Sequence, residues 1–385
     1  MSVEVSPWSR ENHPAAHLVA TKVHAYFARH LEMAGEGPTP VAPLPEVAVI
    51  ERVIDAAFWA SLRREEGYVP KVSLAYLPAE LDPQPLLFAE PLPLLPATLA
   101  KIAPVVERPG VHLGVWVRDE ALVAWGMTYT IPRFCFVLEV VEPGLLVVKH
   151  HRGEQAGKYI NVAVLEGDQV KIIDESASSL PECPGLLASL LGFDSASSWA
   201  GSINVLVQLA VSMRAHRRGG SLLIVPAGSE SWRESIVTPI AYAVAPPYRG
   251  LAAAMEETGD ERHGHAWQQA LGASVDAIAG LTAVDGATVM TDSCELLAFG
   301  AKIARRRGSP PVEQLTITEP IEGGQAVVVS PGQIGGTRHL SAAQFVHDQR
   351  DVIALVASQD GRFTVFAWSP CESRVHAHRV EALLL

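Results

Sequence analysis

Residues 284–290 read Val-Asp-Gly-Ala-Thr-Val-Met, in which a carboxylate and a glycine precede an apolar run. This pattern predicts a turn at Asp285 and Gly286 that opens a buried strand. Residues 335–343 read Gly-Gly-Thr-Arg-His-Leu-Ser-Ala-Ala, which predicts a glycine-rich turn that opens a helix. Together with the alternating pattern around them, these two segments predict an α/β domain.

The second segment has the chemistry of a phosphate-binding turn. Its glycines let the backbone approach a ligand closely, and a helix N-terminus offers unpaired N–H groups. Thr337 adds a hydroxyl, and Arg338 adds a charged fork that suits phosphate oxygens. Asp285 in the first segment is a candidate ligand for the Mg²⁺ or Mn²⁺ that balances a triphosphate, because hard cations prefer carboxylate oxygen.

Around these segments, residues 181–385 predict a mixed central sheet flanked by helices. The predicted helices cover 203–215 and 266–279, with a third that starts at 341–348. The predicted strands, of which the last two finish the sheet, cover 222–225, 287–290, 326–329, 352–357 and 364–368.

Residues 1–180 predict a separate α+β, β-rich domain. Apolar residues recur with helical spacing at 15–31 and 50–65, and the proline-rich passage 77–96 predicts irregular or extended structure. Short β-rich runs that predict an antiparallel sheet follow at 111–117, 122–129, 134–141, 145–149, 159–165 and 170–173. The polar segment 174–181 is the best candidate for a linker between the two domains.

The composition limits the classes of function. A net charge of −12 argues against a general nucleic-acid-binding surface, because phosphate neutralisation needs clustered Lys and Arg. No apolar run approaches the roughly 20 residues that span a bilayer, and residues 1–13 lack the layout of a signal peptide. The four cysteines are scattered, without a C-x-x-C pair. We therefore expect a cytoplasmic protein with no membrane partner.

The Asp-Gly-Ala motif at 285–287 and the Gly-Thr-Arg-His motif at 336–339 resemble, in that order, those of the diadenylate cyclase domain. This is the nucleotide-cyclase domain of the DNA-integrity-scanning protein and its relatives. The resemblance runs over residues 203–368 and includes the apolar strand at 221–225 and the tail at 352–361. It implies a domain that joins two ATP molecules into cyclic di-AMP with the help of Mg²⁺ or Mn²⁺.

The resemblance also implies roles for the matching residues. The implied catalytic residues are Asp285, Thr337, Arg338 and His339. Asp285 would orient the 3′-hydroxyl or the metal, and the other three would bind phosphates. The residues that line the nucleotide are Gly286, Ala287, Gly336 and Ser358. Because two sites must face each other for this reaction, the resemblance further implies a homodimer or higher homo-oligomer, formed through the C-terminal domain, with ATP or cyclic di-AMP as ligand.

Two positions depart from the family pattern. Leu340 stands where the family has a second arginine, so one cationic contact is missing, and Gln359 stands in place of a glutamate, with Asp360 next to it. Losing a charged hydrogen bond costs about 1.5–3 kcal/mol, so we expect weakened activity. Two functions stay open: a cyclase under the control of an N-terminal sensor domain, or a nucleotide-binding module that signals by occupancy without turnover.

Three further features lie outside the motifs. Residues 229–263 match nothing in the family and suggest a lid or an oligomer contact. The basic run 305–307, followed by Gly308, predicts a solvated helix end. The histidine pairs at 150–151 and at 376 and 378 predict surface histidines, because a metal site would need further ligands that the sequence does not identify.

Overall fold

The computed structural model describes residues 13, 15–34, 40–65, 67–151, 159–174, 205–256 and 265–385. The chain divides into two compact units, residues 1–173 with Leu385 and residues 174–384. Residues 175–181 of the expected linker lie outside the described residues. The boundary between residues 180 and 181 therefore stays a prediction.

The first unit opens with helices whose apolar faces are buried. Val19, Val23 and Phe27 lie on one side of the first helix, and Ile50 and Ile54 lie on one side of the second. This spacing of four residues places the side chains on a single helical face, which the core covers. The helices are α1 (Ala16–Ala34), α2 (Val47–Ser61) and α3 (Pro96–Ile102).

One mixed sheet accounts for the described strands of the first unit. They are β1 (Ser73–Tyr76), β2 (Leu86–Pro93), β3 (His112–Arg118), β4 (Ala121–Thr128), β5 (Phe136–Glu142), β6 (Leu145–His151), β7 (Tyr159–Glu166) and β8 (Gln169–Ile172). Their order is β2-β4-β3-β1-β5-β6-β7-β8. The six strands predicted at 111–173 are confirmed as β3 to β8, but the sheet is not purely antiparallel, because β1 pairs in parallel with β3.

The second unit also contains a mixed sheet. Its helices are α4 (Val205–Ala215), α5 (Gly250–Glu256), α6 (His265–Leu281) and α7 (Thr337–Gln349). Its strands are β9 (Gly220–Val225), β10 (Tyr242–Tyr248), β11 (Ala287–Thr291), β12 (Leu296–Ala301), β13 (Leu315–Thr318), β14 (Val327–Val329), β15 (Ile353–Ala357), β16 (Phe363–Ser369) and β17 (Arg374–Arg379). Their order is β10-β12-β11-β9-β15-β16-β17-β13-β14.

Helices cover both faces of the centre of this second sheet. Leu222 and Ile224 of β9 pack with residues of α4 and α6, whereas Leu223 and Val225 pack with α7 on the other face. A strand that is covered on both faces has apolar residues at successive positions, which is why β9 and β15 are continuous apolar runs. None of the helices in the described part of the chain has the length and apolar composition that a bilayer crossing requires.

Three expectations from the sequence are wrong. The run 305–307 is not a helix end, because it lies in an exposed connection between β12 and β13. The sheet does not finish at 364–368, because β17 follows β16. His150, His376 and His378 are not surface residues, because the exposed fraction of each is 2% or less.

The burial of His378 makes the stability of the fold depend on pH. Its Nδ1 lies 2.6 Å from the hydroxyl oxygen of Thr318, and burial lowers its pKa from 6.5 to about 3. The unfolded chain therefore binds a proton that the folded chain excludes. The contribution of His378 to stability is fully present above pH 6.5, and it is lost as the pH falls toward 3.

We expect the His378→Asn variant to lose less stability on acidification than the wild type. From pH 7 to pH 5 the free energy of unfolding of the wild type should fall by about 2 kcal/mol more than that of His378→Asn, since one pKa unit corresponds to about 1.4 kcal/mol. Urea unfolding at a series of pH values measures this, with His17→Gln as the control, since the His17 side chain is 75% exposed. Parallel pH curves for wild type and His378→Asn would contradict the prediction.

Candidate functional site

Strand pairing brings three distant segments to one edge of the second sheet. β9 pairs in parallel with β11, so that Leu222 lies opposite Thr288, and in antiparallel with β15, so that Gly220 lies opposite Ala357. The starts of β9 and β11 and the end of β15 therefore meet at the same edge. β12 runs antiparallel to β11 and ends at this edge as well.

The helix α7 begins at the same edge. Gly336 is its N-cap residue, Thr337 is its first residue, and the helix packs against β15 and β16. The predicted turn before a helix is thus confirmed, although α7 begins four residues earlier than the predicted start at 341. The first N–H groups of a helix have no partners within the helix, and the positive end of its dipole attracts anions.

A cavity of about 800 Å³ opens between these elements. All eight residues that the sequence predicted as site residues line it: Asp285, Gly286, Ala287, Gly336, Thr337, Arg338, His339 and Ser358. Polar lining residues that sequence reasoning did not assign to the site are Ser221, Lys302, Ser341 and Arg362. Gln359 and Asp360, which the sequence had marked as a departure from the family pattern, line the cavity too.

Gly286 is required by the backbone geometry of the site. Its φ is +116°, a value that side chains disfavour, and a Cβ added there would lie 2.5 Å from the carbonyl carbon of Gly300. The turn at residues 285–286 therefore presses against the end of β12. Gly335 is constrained by packing alone, since an added Cβ would lie 2.6 Å from Nδ1 of the His339 ring.

Asp285 is an exposed carboxylate with a cationic partner. Its side chain is 89% exposed and forms an ion pair with the ammonium of Lys302. The hydrogen bond from Lys302, and then the charge of the same lysine, holds the pKa of Asp285 below its ordinary value of 3.8. The charge of Arg338 acts in the same direction. Asp285 is therefore ionised at neutral pH.

His339 belongs to the cavity but carries no charge at neutral pH. Its side chain is buried, and its ring meets the ring of Phe366 edge-on at a centroid distance of 6.0 Å. Burial is the main cause that lowers its pKa below 6.5, and three nearby arginines act in the same direction, against Asp360. His339 can therefore contribute a neutral ring nitrogen, whereas the cationic part of the turn is Arg338.

The two departures from the family pattern occupy different places. Leu340 is 40% exposed and does not line the cavity. Gln359 does line it, and its amide donates a hydrogen bond to the carbonyl oxygen of Arg218 at 3.4 Å. An added Cβ at Gly219 would lie 3.0 Å from Nη1 of Arg338, so the guanidinium lies close to the same loop.

The residues present fit a divalent cation that is shared with a ligand. Among the described residues, no group of three or more His, Cys, Asp or Glu side chains could hold a metal ion by protein ligands alone. Mg²⁺ usually binds through one or two carboxylates and the phosphates of its substrate. The exposed carboxylate of Asp285, with Asp360 also lining the cavity, matches that type of donor set.

Part of the unassigned segment 229–263 covers the outer side of β12. The ring of Tyr242 on β10 stacks on Phe299 with a centroid distance of 4.7 Å and an interplanar angle of 4°. β10 is exposed along most of its length, and residues 257–263 lie outside the described residues. A lid or an oligomer contact in this segment stays a prediction.

We expect Gly286→Ala to destabilise the protein by roughly 1–3 kcal/mol, because the existing φ is strained for any residue with a side chain and the new Cβ would meet the carbonyl of Gly300. Gly272→Ala is the matched control, because an added Cβ on this helical glycine of α6 meets no atom within 4 Å. The control should be stabilised by roughly 0.5–1 kcal/mol. Chemical unfolding of both variants measures the difference, and equal shifts in the two would contradict the geometry described for Gly286.

Comparison with known proteins gives one finding in the first half of the chain. The family model described as "Probable sensor domain DACNV" matches residues 39–129, which run from before α2 to the end of β4. No curated protein matches the chain. The comparison supports the predicted N-terminal sensor domain over those residues: in residues 39–129 the chain is similar to a probable sensor domain.

Proposed function

We propose that the second unit binds ATP together with Mg²⁺ or Mn²⁺ and joins two ATP molecules into cyclic di-AMP, under the control of the first unit. One observation carries the proposal. Eight residues from three separate segments, selected from sequence motifs alone, line a single cavity at the N-terminus of α7. The match of residues 39–129 to a sensor family supports the regulatory part.

Recognition of the triphosphate rests on α7 and its neighbours. The N-terminal amides of the helix, the hydroxyl of Thr337 and the guanidinium of Arg338 are donors for phosphate oxygens. Arg362 adds a further cation to the lining. Gly335 and Gly336 leave room for the backbone to approach the phosphates. Ser358 and the backbone at Gly286 and Ala287 line the remainder of the nucleotide.

The proposed reaction is an in-line substitution at phosphorus. The 3′-hydroxyl oxygen of one ATP bonds to the α-phosphorus of the other, the bond to the leaving pyrophosphate breaks, and the hydroxyl proton passes to solvent. Repeating the step closes the ring, so that two ATP give one cyclic di-AMP and two pyrophosphates. Positioning and electrostatic stabilisation supply most of the rate enhancement in such reactions, and the ionised Asp285 orients the attacking hydroxyl or holds the metal.

A divalent cation would be held by Asp285 and phosphate oxygens, where it neutralises charge that develops on the phosphates. A second copy of the domain must present the second ATP, because the exposed cavity of one copy supplies one set of these groups. We therefore propose a homodimer or higher homo-oligomer through the second unit.

A second candidate function is a module that binds the nucleotide and signals by occupancy. Leu340, which does not line the cavity, and Gln359, which lines it where the family pattern has an acidic residue, favour this alternative. Both remove a charged group that the family pattern has at that position. The two candidates share the binding site and differ only in turnover.

Incubation of the purified protein with ATP and Mn²⁺ should yield cyclic di-AMP, which mass spectrometry detects. We expect Asp285→Asn and Arg338→Ala each to lower its formation by roughly ten- to a hundredfold, since each removes a charged contact of the reacting groups. Asp168→Asn and Arg307→Ala, which remove exposed charges elsewhere, are the matched controls and should keep full activity.

The same experiment distinguishes the cyclase from the occupancy module. Saturable ATP binding without product in the wild type would favour the occupancy module. Product formation that survives both Asp285→Asn and Arg338→Ala, or no binding of ATP or cyclic di-AMP at all, would contradict the assignment of this cavity.

A further inference from the structure

Lys302 combines a fixed backbone position with an exposed side chain. It follows the last residue of β12, and its carbonyl oxygen accepts a hydrogen bond of 2.8 Å from the backbone N–H of Val237. Its neighbour Ala301 is buried. The Lys302 side chain is 54% exposed and lines the cavity, so the ammonium can move while the backbone stays in place.

The ammonium lies on the carboxylate that is proposed to hold the metal. Lys302 and Asp285 form an ion pair in which both side chains are more than half exposed. Exposed ion pairs contribute little to stability, because solvent competes for both partners. A stronger partner for either group can therefore replace this contact at small cost.

The charges around the pair favour such a replacement. Lys302, Arg338 and Arg362 are the cations of the cavity lining, against the carboxylates Asp285 and Asp360. His339 is buried and neutral. Lys302, directly after β12, is therefore one of the three cations that the lining offers to an anion.

We infer that Lys302 is a phosphate-binding residue that rests on Asp285 in the free protein and transfers to the nucleotide when a divalent cation takes its place. The cation and the nucleotide then load the cavity together. This inference rests on the proposed function.

Binding of the cation and binding of the nucleotide are coupled, because Asp285 and Lys302 both keep an oppositely charged partner only when the two ligands bind together. A cation that arrives alone must displace Lys302 and leave its ammonium facing the two arginines. A nucleotide that arrives alone and draws the Lys302 ammonium to its phosphates leaves the Asp285 carboxylate without its partner, next to those phosphates. When both arrive, the cation binds Asp285 and phosphate, and the three donors of the lysine ammonium find phosphate oxygens. Each ligand should therefore raise the affinity for the other, as reciprocal linkage requires.

The test compares Lys302→Gln with the wild type in the full chain. Electron paramagnetic resonance measures Mn²⁺ binding without nucleotide, and calorimetry measures ATP binding in the presence of Mn²⁺. We expect Lys302→Gln to bind Mn²⁺ several-fold more tightly without nucleotide, because the competing ammonium is gone. The same variant should bind ATP about tenfold more weakly, which is the scale of one charged hydrogen bond.

Two further variants sharpen the result. Lys71→Gln removes the same charge from an exposed position in the first unit and should change neither affinity. Lys302→Arg keeps a cation of similar reach and should retain both wild-type affinities within a few-fold. Because Lys302 and Lys71 are both exposed, all these variants should unfold at the wild-type temperature.

The outcomes separate this inference from the proposed function. If the wild type binds ATP and Lys302→Gln leaves both affinities unchanged, or weakens ATP binding without strengthening Mn²⁺ binding, the exchange is overturned and the proposed function is not. If the wild type binds neither ATP nor cyclic di-AMP, both are overturned.

Discussion

The register between β9, β11 and β15 is the constraint on which the site depends. β9 is the only described strand that pairs with both of the others, in parallel with β11 and in antiparallel with β15. This arrangement places residues 285–287, residue 358 and the start of α7 at one sheet edge. A shift by one residue would exchange the side chains that β9 packs against α4 and α6 with those that it packs against α7. Because close-packed side chains tolerate such an exchange poorly, packing on the two faces fixes the register. The geometry of the cavity is thus a consequence of the core.

The electrostatics of the cavity follow from how deeply each group lies in it. Asp285 and Lys302 are exposed and form an ion pair, whereas burial lowers the pKa of His339 and leaves its ring neutral. Arg338 stands at the helix N-terminus, where the dipole of α7 adds to its attraction for anions. An anionic ligand with a divalent cation would pair with Asp285, Lys302 and Arg338, which is why the proposed ligand is a nucleoside triphosphate rather than a neutral molecule.

Local patterns in the sequence predicted the elements that are locally determined. Glycines at 286 and 336 and the apolar runs beside them predicted the start of β11 and the turn before α7. The strands β1, β10, β12, β13 and β17 escaped prediction for particular reasons. Pro246 and Pro247 interrupt β10, and the histidines and arginines of β17 suggested a surface although the strand is buried. Lys302 could not be predicted, because only the long-range pairing of β11 with β12 places it beside Asp285.

Hydrogen–deuterium exchange of the full chain, with and without ATP and Mn²⁺, tests most directly whether the turn before β11, the start of α7 and the end of β15 form one nucleotide site. Peptides that cover residues 284–288, 335–343 and 357–362 should gain protection together as ATP saturates the protein, while α1 and α2 keep their exchange rates. Saturable ATP binding that protects other regions and leaves these three segments unchanged would show that the cavity at the N-terminus of α7 is not the nucleotide site.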